Sequence, residues 1–151
     1  MQNELLYHYF NDDDFLRISH KIKEMEKITA GEIRVAFKEK KSFFKRNRKI
    51  EELAEEEFIR LGMSGTRDRT GILIYVLLGV RQFYILADEG INERVDQSTW
   101  DNVRNDIQNE FRLGHYTDGL LKGIEAVGKI LSEHFPIKTD DTNELSNKVV
   151  Y

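Results

Sequence analysis

Phe15, Ile18, Ile22 and Met25 recur at the spacing of one helical face, with Asp12, Asp13 and Asp14 at the start and Lys27 near the end. That charge order suits the helix dipole, so the pattern predicts a helix that closes before Gly31. Glu32 to Lys38 alternates Ile33, Val35 and Phe37 with Arg34, Ala36 and Lys38; this period of two is that of a strand. From about Phe44 to Leu61 the positions Ile50, Leu53, Ala54, Phe58 and Leu61 share one helical face, and Gly62 stops the run as a C′ residue would. Ile72 to Leu78 is apolar on both parities, as in a central strand covered on both faces. Gly79-Val80 then turns the chain into a strand over Gln82 to Ala87. Trp100, Val103, Ile107 and Phe111 mark a third helix, and Leu120, Ile124, Val127 and Leu131 a fourth, which Pro136 closes.

Strand, helix, strand in succession demands a crossover, so the first two strands are expected parallel and the third antiparallel beside the second. The expected fold is a three-layer α/β/α sandwich, Rossmann-like, with a small mixed β-sheet flanked by helices. One domain over residues 1–138 and a polar C-terminal tail over 139–151 account for the chain. Gly119 and Gly123, one turn apart, are expected to let the last helix approach the sheet closely.

Composition narrows the function classes. The 151 residues, 17.8 kDa, suit a single domain. A net charge of −4 offers no overall field for nucleic acid or anionic lipid. With no cysteine, disulfides, thiolate zinc sites and Cys nucleophiles are excluded. The start of the chain has no basic n-region and long apolar core, and the longest apolar run, Gly71 to Val80, is too short to span a bilayer. The expectation is a cytoplasmic protein with no membrane span.

The topology gathers charge at one sheet edge. Because the third strand runs back against the second, Asp88 and Glu89 arrive where Arg67, Asp68 and Arg69 precede the second strand. Asp96 and, one turn later, Asp101 open the third helix nearby, and Glu32 begins the first strand there. Carboxylates gathered from separate loops suit hard cations such as calcium or magnesium, and the arginines suit an adjoining anionic group. The plainer alternative is a set of solvated loop charges, with Asp96 or Ser98 capping a helix. A second feature, Lys38 to Lys49 with Phe43 and Phe44, combines cations and aromatics as single-strand binders do. Five glutamates in the helix that follows answer that charge, so a solvated connection or a sticky patch is the simpler reading. The four histidines lack the spacing of a helical metal site, and no P-loop, nucleophile elbow or dinucleotide fingerprint is present.

Several segments together resemble the TPM domain family, named for a thylakoid-lumen phosphatase, a photosystem II repair protein and a modulator of levamisole receptors. They are Gly31-Glu32-Ile33-Arg34-Val35, Leu61-Gly62-Met63 with Thr66, Arg69 to Val76, Ala87 to Asn92, Trp100, Phe111, Gly114-x-Tyr116, Gly119-Leu120, Gly123-Ile124 and His134-Phe135-Pro136. Asp141 to Leu145 is similar to the ending of short, stand-alone bacterial members. The resemblance implies an α/β/α sandwich, an acidic pocket for divalent cations and, from the plant member, acid phosphatase activity. Where the family has Gly-Leu-Glu and then Leu-Thr-Asp, this chain has Gly90-Ile91-Asn92 and then Val95-Asp96.

Resemblance and topology point to the same edge. Asp88 and Asp96 are the first-choice metal ligands, Glu89 and Asp101 the second, and Asp68 a further one; Arg69 and Arg67 are the anion partners. Asp118 is placed at the opposite edge. The expected function is a non-catalytic module that binds Ca2+ or Mg2+ and a protein partner, through Phe43-Phe44 or the tail. The alternative is a metal-assisted phosphomonoesterase in which the cation activates water. No catalytic residue is assigned.

Overall fold

The computed structural model describes residues 4–137; the polar tail expected over 139–151 lies outside them. Helix α1 (Glu4–Tyr9) is followed by α2 (Asp12–Glu26), β1 (Glu32–Lys38), α3 (Ile50–Arg60), β2 (Gly71–Leu77), β3 (Gln82–Ala87), α4 (Glu89–Asn92), α5 (Gln97–Arg112) and α6 (Tyr116–His134). The strand order is β1-β2-β3, with β1 parallel to β2 and β3 antiparallel to it. This is the mixed sheet and α/β sandwich that the periodicities predict.

Strand alternation sorts the core into two layers. Ile33, Val35, Phe37, Ile72, Ile74 and Val76 face α2, α5 and α6, where Ile18, Ile22, Ile107, Ile124 and Val127 complete the larger cluster. Ala36, Leu73, Tyr75 and Leu77 face α3, against Leu53, Ala54 and Phe58. β2 is buried at every residue because it is central and covered on both faces.

Local chemistry sets the element ends. Asn11 and Asp14 form a reciprocal capping box that starts α2. Gly62, at φ 72, ends α3 in the left-handed conformation expected of a C′ glycine. β1 is an edge strand, and the Glu26 carboxylate accepts from the Ile33 N–H at 2.8 Å, which protects that edge.

Four details differ from the periodicity reading, the first being α4, a single turn that the periodicities do not predict. The helix expected from about Phe44 starts at Ile50, and a short 3-10 turn over Phe43–Lys45 precedes it. No apolar residue between Phe44 and Ile50 gives a helix something to bury, so Phe43 and Phe44 remain 70% and 93% exposed. Gly119 and Gly123 admit α5 rather than the sheet: a Cβ at Gly123 would lie 2.5 Å from Ile107 Cδ1, and one at Gly119 would lie 3.0 Å from the Phe111 ring. α6 is wedged between α2 and α5, and its glycine stripe faces the neighbouring helix. The short α1 has no long periodicity of its own and forms because Leu6 is buried and its N–H donates to Glu39 Oε1 at 3.0 Å.

Candidate functional site

The register places the acidic loops together. β1 and β2 begin side by side, with Glu32 paired to Gly71, and Ala87 at the end of β3 pairs with Ile72. The Asp88 N–H donates to the Gly71 carbonyl at 2.9 Å, which carries the ladder one residue beyond the strand. Asp88 therefore lies at the edge expected for it.

Asp88 is buried, at 7% exposure. Its carboxylate takes a two-pronged grip from Arg69: Nε to Oδ2 and Nη2 to Oδ1, each at 2.8 Å. Such bidentate pairing fixes both groups in one plane. Hydrogen bonding to Asp88, then its charge, raises the Arg69 pKa above the ordinary guanidinium value. Asp88 also caps α4, because Oδ1 accepts from the Glu89 N–H at 2.8 Å. A buried carboxylate needs such compensation, and three donors supply it.

The loop that delivers Arg69 is held in an unusual conformation. Arg69 has φ 58, in the left-handed region that non-glycine residues seldom occupy. Thr66 Oγ1 accepts from the Thr70 N–H at 3.2 Å and the Arg69 carbonyl accepts from the Gly90 N–H at 3.0 Å, so the loop is tied at both ends. Gly90 sits so close that a Cβ there would be 2.6 Å from the Arg69 carbonyl oxygen and in collision with that of Asp68. Thr66 and Gly90 thus position the site without offering ligand atoms; only their place in the resemblance signalled them.

The other expected ligands divide. Glu89 is exposed and its Oε2 lies 3.8 Å from Arg69 Nη2, within the same cluster. Asp68 is exposed and pairs with Arg67 at 3.3 Å. Asp96 is the N-cap residue of α5, but its side chain makes no capping bond there. Asp101 accepts from Gln97 at 3.1 Å and lies 3.8 Å from Arg104, along α5. Among the described residues, no three His, Asp or Glu side chains form a group that could hold an ion. The site therefore joins Arg69 and Asp88 tightly with Glu89 beside them, while Asp68 is engaged by Arg67 and Asp101 by Gln97 and Arg104. Asp118 pairs with Arg17 at 3.8 Å near the start of α6.

Asn92 stands where the resembling family has Glu. Its Nδ2 donates to the Ala87 carbonyl at 2.9 Å. A carboxylate could not donate that bond, so the exchange converts a potential ligand into a brace between α4 and the end of β3.

Among the described residues no helix is long and apolar enough to cross a membrane. No curated protein matches the chain significantly. BA42 protein from the psychrophilic bacterium Bizionia argentinensis, solved by NMR, is 37% identical over 94% of each chain, with a TM-score of 0.85. The N-terminal domain of a P. gingivalis protein is 16% identical over 84% of this chain and 79% of its own, with a TM-score of 0.67. That of the cg2496 protein of Corynebacterium glutamicum is 14% identical over 94% and 80%, at 0.60. The last two share the fold. The family model of the TPM domain matches residues 6–130, a span that runs from α1 into α6 and contains the whole Arg69–Asp88 junction, and by that match the chain belongs to the TPM domain family.

Proposed function

We propose that this TPM domain is a non-catalytic binding module whose acidic edge takes up a divalent cation, calcium or magnesium, in exchange for the Arg69 guanidinium. The observation that carries the reading is the Arg69–Asp88 pair. A carboxylate buried at a loop junction requires a positive partner, and the partner it has is a side chain 44% exposed, free to swing into water. Glu89 faces the same guanidinium, and the carbonyls of Asp68 and Arg69 crowd against Gly90. Carboxylate and carbonyl oxygens are the donors hard cations prefer. With Arg69 in place the donor number falls short of a cage, so the fit is to one cation at a time, guanidinium or metal. Asp88 and Glu89 would hold the ion, with Asp68 and Asp96 within the surrounding loops and Asp101 furthest committed elsewhere.

The binding reading is favoured over hydrolysis because Arg69 and Arg67, the groups that would steady a phosphoryl ion, are each paired to a carboxylate of the same edge. The exposed Phe43 and Phe44, with Arg46 stacked over Phe43 at 4.7 Å, supply an apolar surface through which a protein partner can be engaged.

The test is a titration of chelator-stripped protein with calcium and magnesium, followed through backbone amide shifts. Saturable shifts are expected over residues 67–71 and 88–101. Asp88→Asn should abolish them. Arg69→Asn, which tolerates the positive φ, should bind the cation several-fold more tightly by removing the competitor. Unchanged or weaker binding in Arg69→Asn would sink the exchange. Metal-dependent phosphomonoester turnover that Asp88→Asn abolishes would move the reading to the metal-assisted phosphatase.

A further inference from the structure

A cleft of about 550 Å³ opens at the other end of the sheet, where β2 finishes and β3 starts. β2 spans seven residues, so at roughly 3.3 Å per residue the cleft lies about 20 Å from Asp88 and owes nothing to the acidic edge. Its walls are aromatic. Tyr9 meets Tyr116 edge-on at 4.9 Å, Tyr116 lies 5.7 Å from Phe111, and Phe111 meets Phe83 at 5.3 Å, a row that joins α1, α6, α5 and β3.

Three guanidinium groups line the same hollow. Arg104, Gln108 and Arg112 follow one another at four-residue intervals along α5, and Arg81 enters from the β2–β3 turn. Of the lining residues only Glu51 is acidic. In a chain of net charge −4, three arginines against one carboxylate is a local reversal of sign. The guanidinium groups of Arg81 and Arg112 have neither a hydrogen bond nor an ion pair with any described residue, and that of Arg104 reaches only Asp101, at 3.8 Å. Arg81 is moreover held at φ 54, a conformation that costs an arginine free energy and that glycine or asparagine would adopt more readily.

Solvated arginines on a convex surface would need no explanation. Here they converge over a concave aromatic wall of the volume that small-molecule sites have. We infer that this cleft is a binding site for a small organic anion with a ring-sized apolar body and a phosphoryl or carboxylate head. The body would stack within the row formed by Tyr9, Tyr116, Phe111 and Phe83. The guanidinium forks of Arg81, Arg104 and Arg112 would take the head, since planar pairing with phosphate or carboxylate is what arginine does better than lysine. Gln108 adds a neutral donor between two of them.

The experiment is an amide-shift titration with two probes, phenyl phosphate and 3-phenylpropionate, beside inorganic phosphate and benzyl alcohol. At least one probe should give saturable shifts over residues 81–84 and 108–116, and the tighter of the two identifies the head group. Inorganic phosphate and benzyl alcohol, each lacking half of the ligand, should bind about tenfold more weakly or worse. Arg112→Gln and Arg81→Asn should each weaken the probe about tenfold, the loss expected for one charged hydrogen bond, without lowering the urea midpoint, because both side chains are exposed and asparagine takes up the left-handed conformation at 81 more readily than arginine. Absence of saturable shifts with both probes would overturn the inference. So would shifts centred on residues 67–71 and 88–92, or undiminished affinity when both arginines are replaced together.

Discussion

A Gly90→Ala protein is expected to be about 2 kcal/mol less stable than the parent. A methyl group at this position meets the carbonyl oxygens of Asp68 and Arg69, both backbone atoms, so no side chain can rotate out of its way. Overpacking of this kind costs about 3 kcal/mol at the upper end of its usual range, and the gain of roughly 1 kcal/mol from replacing a helical glycine by alanine offsets only part. The loop that must move is the one tied by the Gly90 N–H to the Arg69 carbonyl, and it carries Arg69 toward Asp88. A urea titration should show a lower midpoint with an unchanged slope, and the amides of residues 68–70 and 88–92 should shift together. Stability within about 0.5 kcal/mol of the parent, the range of an ordinary surface change, would mean the junction yields freely. The rigid support argued for the Arg69–Asp88 pair would then be lost.

The second large effect lies under the other face of the sheet. Glu57 of α3 is buried, with its side chain 6% exposed, and bonds Arg60 Nε at 2.9 Å while Lys38 stands at 3.5 Å. Arg34 of β1, 9% exposed, has its Nε without a hydrogen-bond partner, and it feels the Glu57 charge. Burial pushes the Arg34 pKa down, against the pull of that carboxylate. Glu57→Gln keeps the shape and removes the charge, which leaves the buried Arg34 with only the weaker pull of the Glu26 carboxylate. The expected cost is about 3 kcal/mol, the lower end for breaking one side of a buried pair, because Arg60 and Lys38 are themselves well exposed.

The pH dependence of that difference has a definite sign. Burial raises the Glu57 pKa, but hydrogen bonding to Arg60 and the charges of Lys38 and Arg60 outweigh it, and the net shift is downward from 4.5. A carboxyl whose folded pKa is depressed contributes stability that is complete above its unfolded value and lost as pH falls through the folded one. The gap between parent and Glu57→Gln should therefore be full at neutral pH and close below about pH 4.5. Thermal or urea unfolding at a series of pH values measures it. A gap that stays constant with pH would assign the loss to shape rather than charge. The same charge, with burial as the larger cause, pushes the Tyr75 hydroxyl up to about 12.

Local periodicity was enough for the strands, because alternation and apolar runs are properties of neighbouring residues. Ile33, Val35 and Phe37 had to share a face whatever surrounds them, and Ile72 to Leu77, apolar on both parities, had to be central. Antiparallel return of β3 along β2 then brought Asp88 to the start of β2, so the convergence of the Arg67–Arg69 loop with Asp88 and Glu89 was legible in the sequence. The family resemblance pointed to the same edge for an independent reason, and the match over residues 6–130 bears out the family itself.

Which carboxylate is paired, and with what, was not legible. Asp68, Asp88, Glu89, Asp96 and Asp101 are alike as residue types, and only distances of 3 to 4 Å separate a buried, two-pronged partner of Arg69 from a helix residue occupied by Gln97. The role of Asn92 as a donor to Ala87, the clearance at Gly90 and the facing of Gly119 and Gly123 toward α5 are likewise settled by how elements stack, over separations that no local window contains. The arginine-lined cleft carries the same lesson: Arg104, Gln108 and Arg112 announce one helical face, but Arg81 and the ring of Tyr9 join them only when the chain folds. Sequence by itself determined the three strands, the four longer helices, their order and the edge where charge collects, because those follow from backbone geometry and short-range burial. Tertiary structure alone decided which charges neutralise one another and which stand open to a ligand, because electrostatic pairing in a low-dielectric junction depends on ångström distances and desolvation that only packing imposes.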